Sequence, residues 1–170
     1  MGIYKYTVNI QVKRGLGFPF KKADVANVIE RALELSRVDE PVEIDCLITD
    51  NSTIHKLNKL YRGIDSPTDV LSFRLSDKNP NIEDVDFPVD PNGIMNLGQI
   101  IISYPRTVEQ APQHGNTIKQ ELCLLLVHGT LHLLGFDHID NSDARRMRRQ
   151  ENKITRYFDA AEEGNHGTTL

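Results

Sequence analysis

The chain has 170 residues, of which 39% are hydrophobic and 26% charged, the balance of an ordinary globular protein with one hydrophobic core. No stretch approaches the roughly 18 apolar residues of a membrane span, and the N-terminal sequence lacks the apolar core of a signal peptide, so we expect a cytoplasmic protein with no membrane partner. A net charge of −4 argues against broad, non-specific nucleic-acid binding but allows a local basic surface.

The first half of the chain is predicted to alternate strands with helices. Apolar residues recur there with the period of a helix or with the alternation of a half-buried strand. The predicted elements are a strand over 3–13, a helix over 21–37, a strand over 42–48, a helix over 52–61 and a strand over 68–73.

The second half is predicted to contain a central helix. Residues 75–93 are rich in Pro, Asp, Asn and Gly and read as a long loop or hairpin, followed by a strand over 97–103. The helix expected over 116–134 is apolar nearly all round, as a buried helix is. A last helix is expected over 141–158. These elements predict one α+β domain over 1–158, with a mixed sheet packed against the central helix, and a disordered tail over 159–170.

Three histidines at the end of the central helix predict a metal site. His128 and His132 are four residues apart, so they project from one face of the helix. Gly135 suits the left-handed position that ends a helix, after which the chain can return His138 to the same point. Three imidazole ligands leave one tetrahedral position of zinc open, as a catalytic site requires, so we expect one zinc ion per chain.

Gly129 limits the chemistry of this site. Zinc proteases carry the pattern H-E-x-x-H, in which the glutamate is the general base, and Gly129 occupies the glutamate position here. The spacing of the histidines keeps a metalloprotease-like zinc hydrolase as an alternative, but the missing base argues against it.

A second group of polar residues lies between a predicted helix and a predicted strand, over residues 61–73. Arg62 has two interpretations. It could bind a phosphate, because the guanidinium fork of arginine binds two oxygens at once, or it could form a surface ion pair with Asp65. Four side chains are candidates for contact with a ligand: Arg62, Thr68, Asp69 and Ser72.

The last predicted helix carries a possible basic stripe. Arg145, Arg149, Lys153 and Arg156 recur at three- and four-residue steps and can share one face. Sequence alone leaves two interpretations open, a solvated helix surface and a phosphate-binding stripe.

Residues 57–73, 97–103 and 128–138 resemble, in that order, the signature blocks of the bacterial YbeY endoribonucleases. Met147 and Glu151 resemble the closing motif of the family, so the resemblance covers about residues 42–155. One departure is visible, because the family often has Gly-Asp where this chain has Gly98 and Gln99.

The resemblance implies a metal-dependent endoribonuclease specific for single-stranded RNA. It implies action in ribosomal RNA maturation, notably at the 3′ end of the small-subunit RNA, and in ribosome quality control. Its partners would be ribosomal RNA, ribosomal proteins and an assembly GTPase. The resemblance matches His128, His132 and His138 to the zinc ligands and Arg62 to an arginine implicated in activity.

Three polar residues are assigned supporting roles, and a second alternative function remains. Asp69, Ser72 and Asp137 are expected to contact substrate or to support the metal ligands, with Asp137 orienting a ligand or capping its turn. Beside the metalloprotease-like zinc hydrolase, the second alternative is a non-catalytic ribosome-assembly factor with a structural zinc, and a fourth protein ligand on the metal would favour it.

Overall fold

A mixed sheet of four strands forms the centre of the protein in the computed structural model. The structure describes residues 5–75 and 93–165, with side chains described as far as residue 159. The strand order is β1-β2-β4-β3; β1–β2 and β2–β4 are parallel pairs and β3–β4 is antiparallel. The elements are β1 (Tyr6–Val12), α1 (Lys22–Leu35), β2 (Val42–Thr49), α2 (Asn51–Arg62), β3 (Val70–Arg74), β4 (Met95–Ser103), α3 (Tyr104–Gln113), α4 (Ile118–Leu133) and α5 (Asn141–Asn165).

The two faces of the sheet are covered by different helices. Ile100 and Ile102 of β4 belong to the main core with residues of α1 and α4, while Ile101 packs with Ile54 of α2 on the opposite face. This alternation follows from the two-residue period of a strand. The predicted α+β domain with a mixed sheet against a central buried helix is therefore confirmed.

Local sequence explains the position and length of α4. Thr117 and Gln120 form a capping box, because each side chain accepts a hydrogen bond from the backbone N–H of the other residue. The helix then buries apolar residues such as Leu126 and Leu131 against its neighbours. As the central helix, α4 carries two of the three histidines.

Two predictions on the chain's organisation differ from the structure. Helix α5 continues to Asn165, so the predicted end at 158 is too early and residues 159–165 of the predicted tail are helical. The rest of that tail, 166–170, lies outside the described residues, as do residues 76–92 of the predicted loop over 75–93.

None of the helices within the described ranges has the length and apolarity needed to span a membrane.

Helix α3 has no counterpart among the predicted elements. Pro105 and Pro112 obscure it, since proline ordinarily breaks a helix. Pro105 lies in the first turn, where no backbone N–H is needed, and Ser103 caps the helix by accepting from the backbone N–H of Arg106. Pro112 lies in the last turn, so the helix ends soon after it.

Candidate metal centre

The structure brings the three predicted histidines together. The side chains of His128, His132 and His138 each offer a ring nitrogen, and these nitrogens lie within 4.8 Å of one another. The Nε2 atoms of His128 and His132 are 3.1 Å apart. The helical spacing and the following turn therefore produce the convergence that the sequence predicts, and the cluster can hold a metal ion.

The turn after α4 explains how His138 returns to the cluster. Gly135 has a φ of +91°, and it donates from its backbone N–H to the carbonyl oxygen of His132 at 3.0 Å. Phe136 N–H donates to the carbonyl oxygen of Leu131 at 3.0 Å, which completes a Schellman motif. The carboxylate of Asp137 accepts from the backbone N–H of His138 at 2.7 Å, so it holds the turn in place.

Glu151 of α5 orients the first histidine. Its Oε1 lies 2.5 Å from Nδ1 of His128, and the exposed fractions of the two side chains are only 14% and 27%. An ionised carboxylate can only accept, so Nδ1 of His128 carries the hydrogen and Nε2 presents its lone pair to the cluster. Metal-bound histidines are commonly held in this way by a carboxylate.

Burial keeps His132 neutral. The pKa of His132 falls to about 4, first because the ring is partly buried and then because His128 and His138 lie close to it. A metal binds the deprotonated imidazole, so His132 needs to lose no proton near neutral pH before it can act as a ligand.

A polar cleft of about 440 Å³ lies beside the histidines. Its lining includes His128, His132 and four of the other candidate residues: Arg62, Asp69, Ser72 and Asp137. The fifth candidate, Thr68, is not part of the lining and instead donates from its hydroxyl to Asp69. The structure thus brings both predicted groups of residues to one place. Their functional roles stay predictions.

Arg62 is held at the cleft by the backbone of β3. Its Nη2 donates to the carbonyl oxygen of Ser72 at 3.2 Å. Asp65, the alternative partner weighed from the sequence, instead contacts His55 and Lys59, each at 2.7 Å. The guanidinium therefore reaches the cleft and does not form the ion pair with Asp65.

Asp69 shapes the start of β3. Its Oδ1 accepts from the backbone N–H of Val70 at 2.8 Å and from the hydroxyl of Thr68 at 3.1 Å. Its backbone carbonyl accepts from the N–H of Ser103 at 2.8 Å. Among the hydrogen bonds of the described residues, none joins Asp69 to a histidine of the cluster.

Arg74 is a cleft residue that the sequence analysis missed. The guanidinium lies against Gly135, where an added Cβ would come within 3.0 Å of Nη1 of Arg74. Arg74 and Ser72 are two residues apart on β3, and both line the cleft. The two-residue period of the strand is the signal that would have placed Arg74 beside Ser72.

The surroundings of Gly129 explain why no glutamate follows His128. An added Cβ at Gly129 would lie 2.8 Å from Cγ2 of Ile100 and 3.2 Å from Oγ of Ser72. The glycine therefore lets α4 approach the sheet closely, and a larger side chain has no space there. The position that carries the base in zinc proteases points into the core.

Gln99, where the chain departs from the YbeY pattern, faces away from this site. It pairs with Phe73 across β3 and β4, and it alternates with Ile100, which packs toward α4. Phe73 belongs to the cluster under α2, so Gln99 shares that face. The position at which the family often has a carboxylate therefore lies on the face of the sheet opposite α4.

Comparison with known proteins gives the family. The family model described as Endoribonuclease YbeY matches residues 11–159, most of the chain. The chain belongs to the YbeY endoribonuclease family. The match extends beyond the residues 42–155 over which the sequence resembles YbeY proteins, and it includes the histidine cluster and Glu151.

Individual YbeY relatives agree with this assignment. The chain is 41% identical over 151 residues to a protein of Roseiflexus sp. (strain RS-1) named Endoribonuclease YbeY, covering 88% of this chain and 91% of that protein. A protein of the same name from Desulfitobacterium hafniense (strain Y51) is 44% identical over 126 residues, covering 74% and 78%. The solution structure of TM1509 from Thermotoga maritima is 26% identical, with a TM-score of 0.59 over 94% of this chain and 93% of that one.

Proposed function

We propose that the protein is a zinc-dependent endoribonuclease that cleaves single-stranded RNA. We further propose that it acts in ribosomal RNA maturation, notably at the 3′ end of the small-subunit RNA, and in ribosome quality control. One observation carries the proposal: three histidine nitrogens converge beside a polar cleft that is lined by two arginines. Membership of the YbeY family supports it, because the relatives are named endoribonucleases.

The chemistry of the donor set fits zinc. Nitrogen ligands suit zinc, and three of them leave a fourth tetrahedral position open for water or substrate. His128 is already oriented by Glu151, and the lowered pKa keeps His132 in the form that binds a metal. We assign His128, His132 and His138 as the ligands of one ion.

The side chains of the cleft supply the remaining functions. Zinc held by His128, His132 and His138 would supply Lewis-acid chemistry and would lower the pKa of a bound water to roughly 7. Arg62 and Arg74 bind the non-bridging oxygens of the phosphodiester and stabilise the charge that develops on them. Ser72 donates a hydrogen bond to the substrate, Asp69 holds the start of β3, and Asp137 positions His138 through its backbone.

The recessed site accounts for a preference for unpaired RNA. The cleft lies between the start of β3 and the turn after α4, and the histidines form one of its walls. A single strand can bend a phosphate into this recess, while the paired strand of a duplex holds the backbone away from it. The positive charge at the cleft is local, because the chain as a whole carries −4.

Neither alternative gains support from a specific contact. A metalloprotease needs a general base, and Gly129 has no space for one. A structural zinc ordinarily has four protein ligands, whereas the group within the described ranges consists of His128, His132 and His138.

The proposal includes the boundaries and surroundings of the domain. Residues 1–158 are the proposed metal-dependent hydrolase domain, and residues 159–170 are its proposed tail, of which 159–165 continue α5. The compartment is the cytoplasm, where ribosomal RNA is the substrate. Ribosomal proteins and an assembly GTPase are the proposed protein partners.

A comparison of substrates tests the proposal. Cleavage of a labelled single-stranded RNA, the same RNA annealed to its complement, and an unstructured peptide is measured before and after chelation and after zinc is restored. We expect zinc-dependent cleavage of the single strand, far slower cleavage of the duplex and none of the peptide. Cleavage of the peptide alone would favour a protease. Bound zinc without any cleavage would favour an assembly factor.

A further inference from the structure

The outer face of α5 carries five exposed cations that the proposed chemistry leaves unused. We call them the basic face of α5: Arg145, Arg148, Arg149, Lys153 and Arg156. No salt bridge within the described part of the chain includes any of them. Uncompensated cations this close together repel one another, which makes an anionic partner favourable.

The packing of α5 fixes which way this face points. Met147 and Ile154 are fully buried against α4 and α1, so the opposite side of the helix is turned to solvent. Glu151 is the one acidic residue between Arg145 and Arg156, and it points inward to His128. No acidic side chain of α5 between Arg145 and Arg156 therefore lies among the outer cations.

The basic face starts in the second turn of α5, at the end of the helix that follows His138, and passes Glu151, which contacts His128 of the metal centre. Helix α5 starts at Asn141, three residues after His138, and the contact of Gln120 with Asp159 shows that α5 runs back along α4. From Arg145 to Arg156 the face extends about 16 Å, at 1.5 Å per residue. At the near end, Arg146 lies over the ring of Phe136, which lines the cleft.

We propose that the basic face of α5 binds the phosphate backbone of the RNA strand whose reacting part lies in the cleft. This inference rests on the proposed function and adds an anchoring surface to it. RNA fits better than a membrane, because an interfacial helix needs apolar residues beside its cations. On α5 the residue that lies among the cations is Asn152, which is polar.

Salt dependence of RNA binding measures this contact directly. The triple variant Arg145→Gln/Arg149→Gln/Arg156→Gln is compared with the native chain by fluorescence anisotropy, using a labelled single-stranded RNA between about 50 and 200 mM salt. The zinc-loaded protein is used, and anisotropy is read at the start of the reaction, before the strand is cleaved. Each phosphate contact on a single strand contributes about 0.7 to the slope of log affinity against log salt. We expect the triple variant to lower the magnitude of the slope by about 2.

Two controls separate phosphate contact from net charge and from folding. Arg14→Gln/Lys21→Gln/Lys22→Gln removes the same charge from exposed residues at and before the start of α1, and it should leave the slope unchanged. Arg145→Lys/Arg149→Lys/Arg156→Lys keeps the charge of α5 and should retain most of the slope. Far-UV circular dichroism and zinc content check that each variant is folded.

Three outcomes would overturn the inference. The first is an unchanged salt slope of RNA binding in the glutamine variant of α5. The second is an equal loss of slope in the α1 control variant. The third is a glutamine variant of α5 that no longer binds anionic vesicles but keeps the native RNA slope, which would assign the face to a membrane. Zinc-dependent RNA cleavage by the native chain alongside any of these would refute the basic face alone. A native chain that neither binds nor cleaves RNA would refute the proposed function as well.

Discussion

The contact between Glu151 and His128 leads to a quantitative prediction for metal affinity. Glu151→Ala removes the acceptor that fixes Nδ1 of His128, while Glu151→Gln keeps an acceptor of the same shape without the charge. The exposed fractions of both side chains are below one third, at 14% and 27%, so water replaces this hydrogen bond poorly. We expect Glu151→Ala to weaken zinc binding by about 100-fold and Glu151→Gln by about 10-fold.

Competition with a chromophoric zinc chelator at neutral pH gives both dissociation constants. These losses correspond to about 2.8 and 1.4 kcal/mol, the range expected for one hydrogen bond to a charged group. Glu34→Gln, which removes the same charge from an exposed residue of α1, is the matched control and should bind zinc as the native chain does. Dissociation constants within about threefold of the native value for both Glu151 variants would refute the orienting role.

Three further substitutions test other parts of the structure. Gly129→Ala should lower the free energy of unfolding by about 1–3 kcal/mol in thermal denaturation, because its Cβ would press on Ile100; unchanged stability would mean that α4 adjusts freely. Arg62→Ala should lower kcat for RNA cleavage by about 100-fold or more, with Arg62→Lys in between, and an unchanged rate would remove Arg62 from the chemistry. Hydrogen bonds from Lys13 and then from the backbone N–H of Thr53 hold the pKa of Asp50 well below its usual range. The ionised carboxylate of Asp50 therefore stabilises the fold above the unfolded-state pKa of about 4, and this stabilisation is lost as the pH falls toward the folded-state pKa. The stability difference between the native chain and Asp50→Asn should therefore shrink in acid, and a difference that persists at low pH would contradict the ion pair.

The histidine cluster could be predicted because its determinants are local. The four-residue step from His128 to His132 fixes their common face, and Gly135 supplies the left-handed turn that returns His138. Each of these features is set by residues within one short segment. Tertiary packing only has to preserve them.

Residues whose positions depend on packing were harder to predict. Glu151 reaches His128 from 23 positions away, and only the docking of α5 on α4 brings the two together. The two-residue period of β3 puts Arg74 on the same face as Ser72, but that face lies at the cleft only because β3 is the edge strand next to the end of α4. The end of α5 at Asn165 was missed for a related reason, because its last residues are too polar for an apolar period to mark them.

Metal content and RNA cleavage measured together test the central claim most directly. The native chain is compared with His132→Ala and with His55→Ala, which alters an exposed histidine paired with Asp65 on α2's side of the fold. We predict that His132→Ala loses both zinc and cleavage of single-stranded RNA while keeping a cooperative unfolding transition, and that His55→Ala keeps both. Cleavage at the native rate by a folded, zinc-free His132→Ala protein would contradict the account.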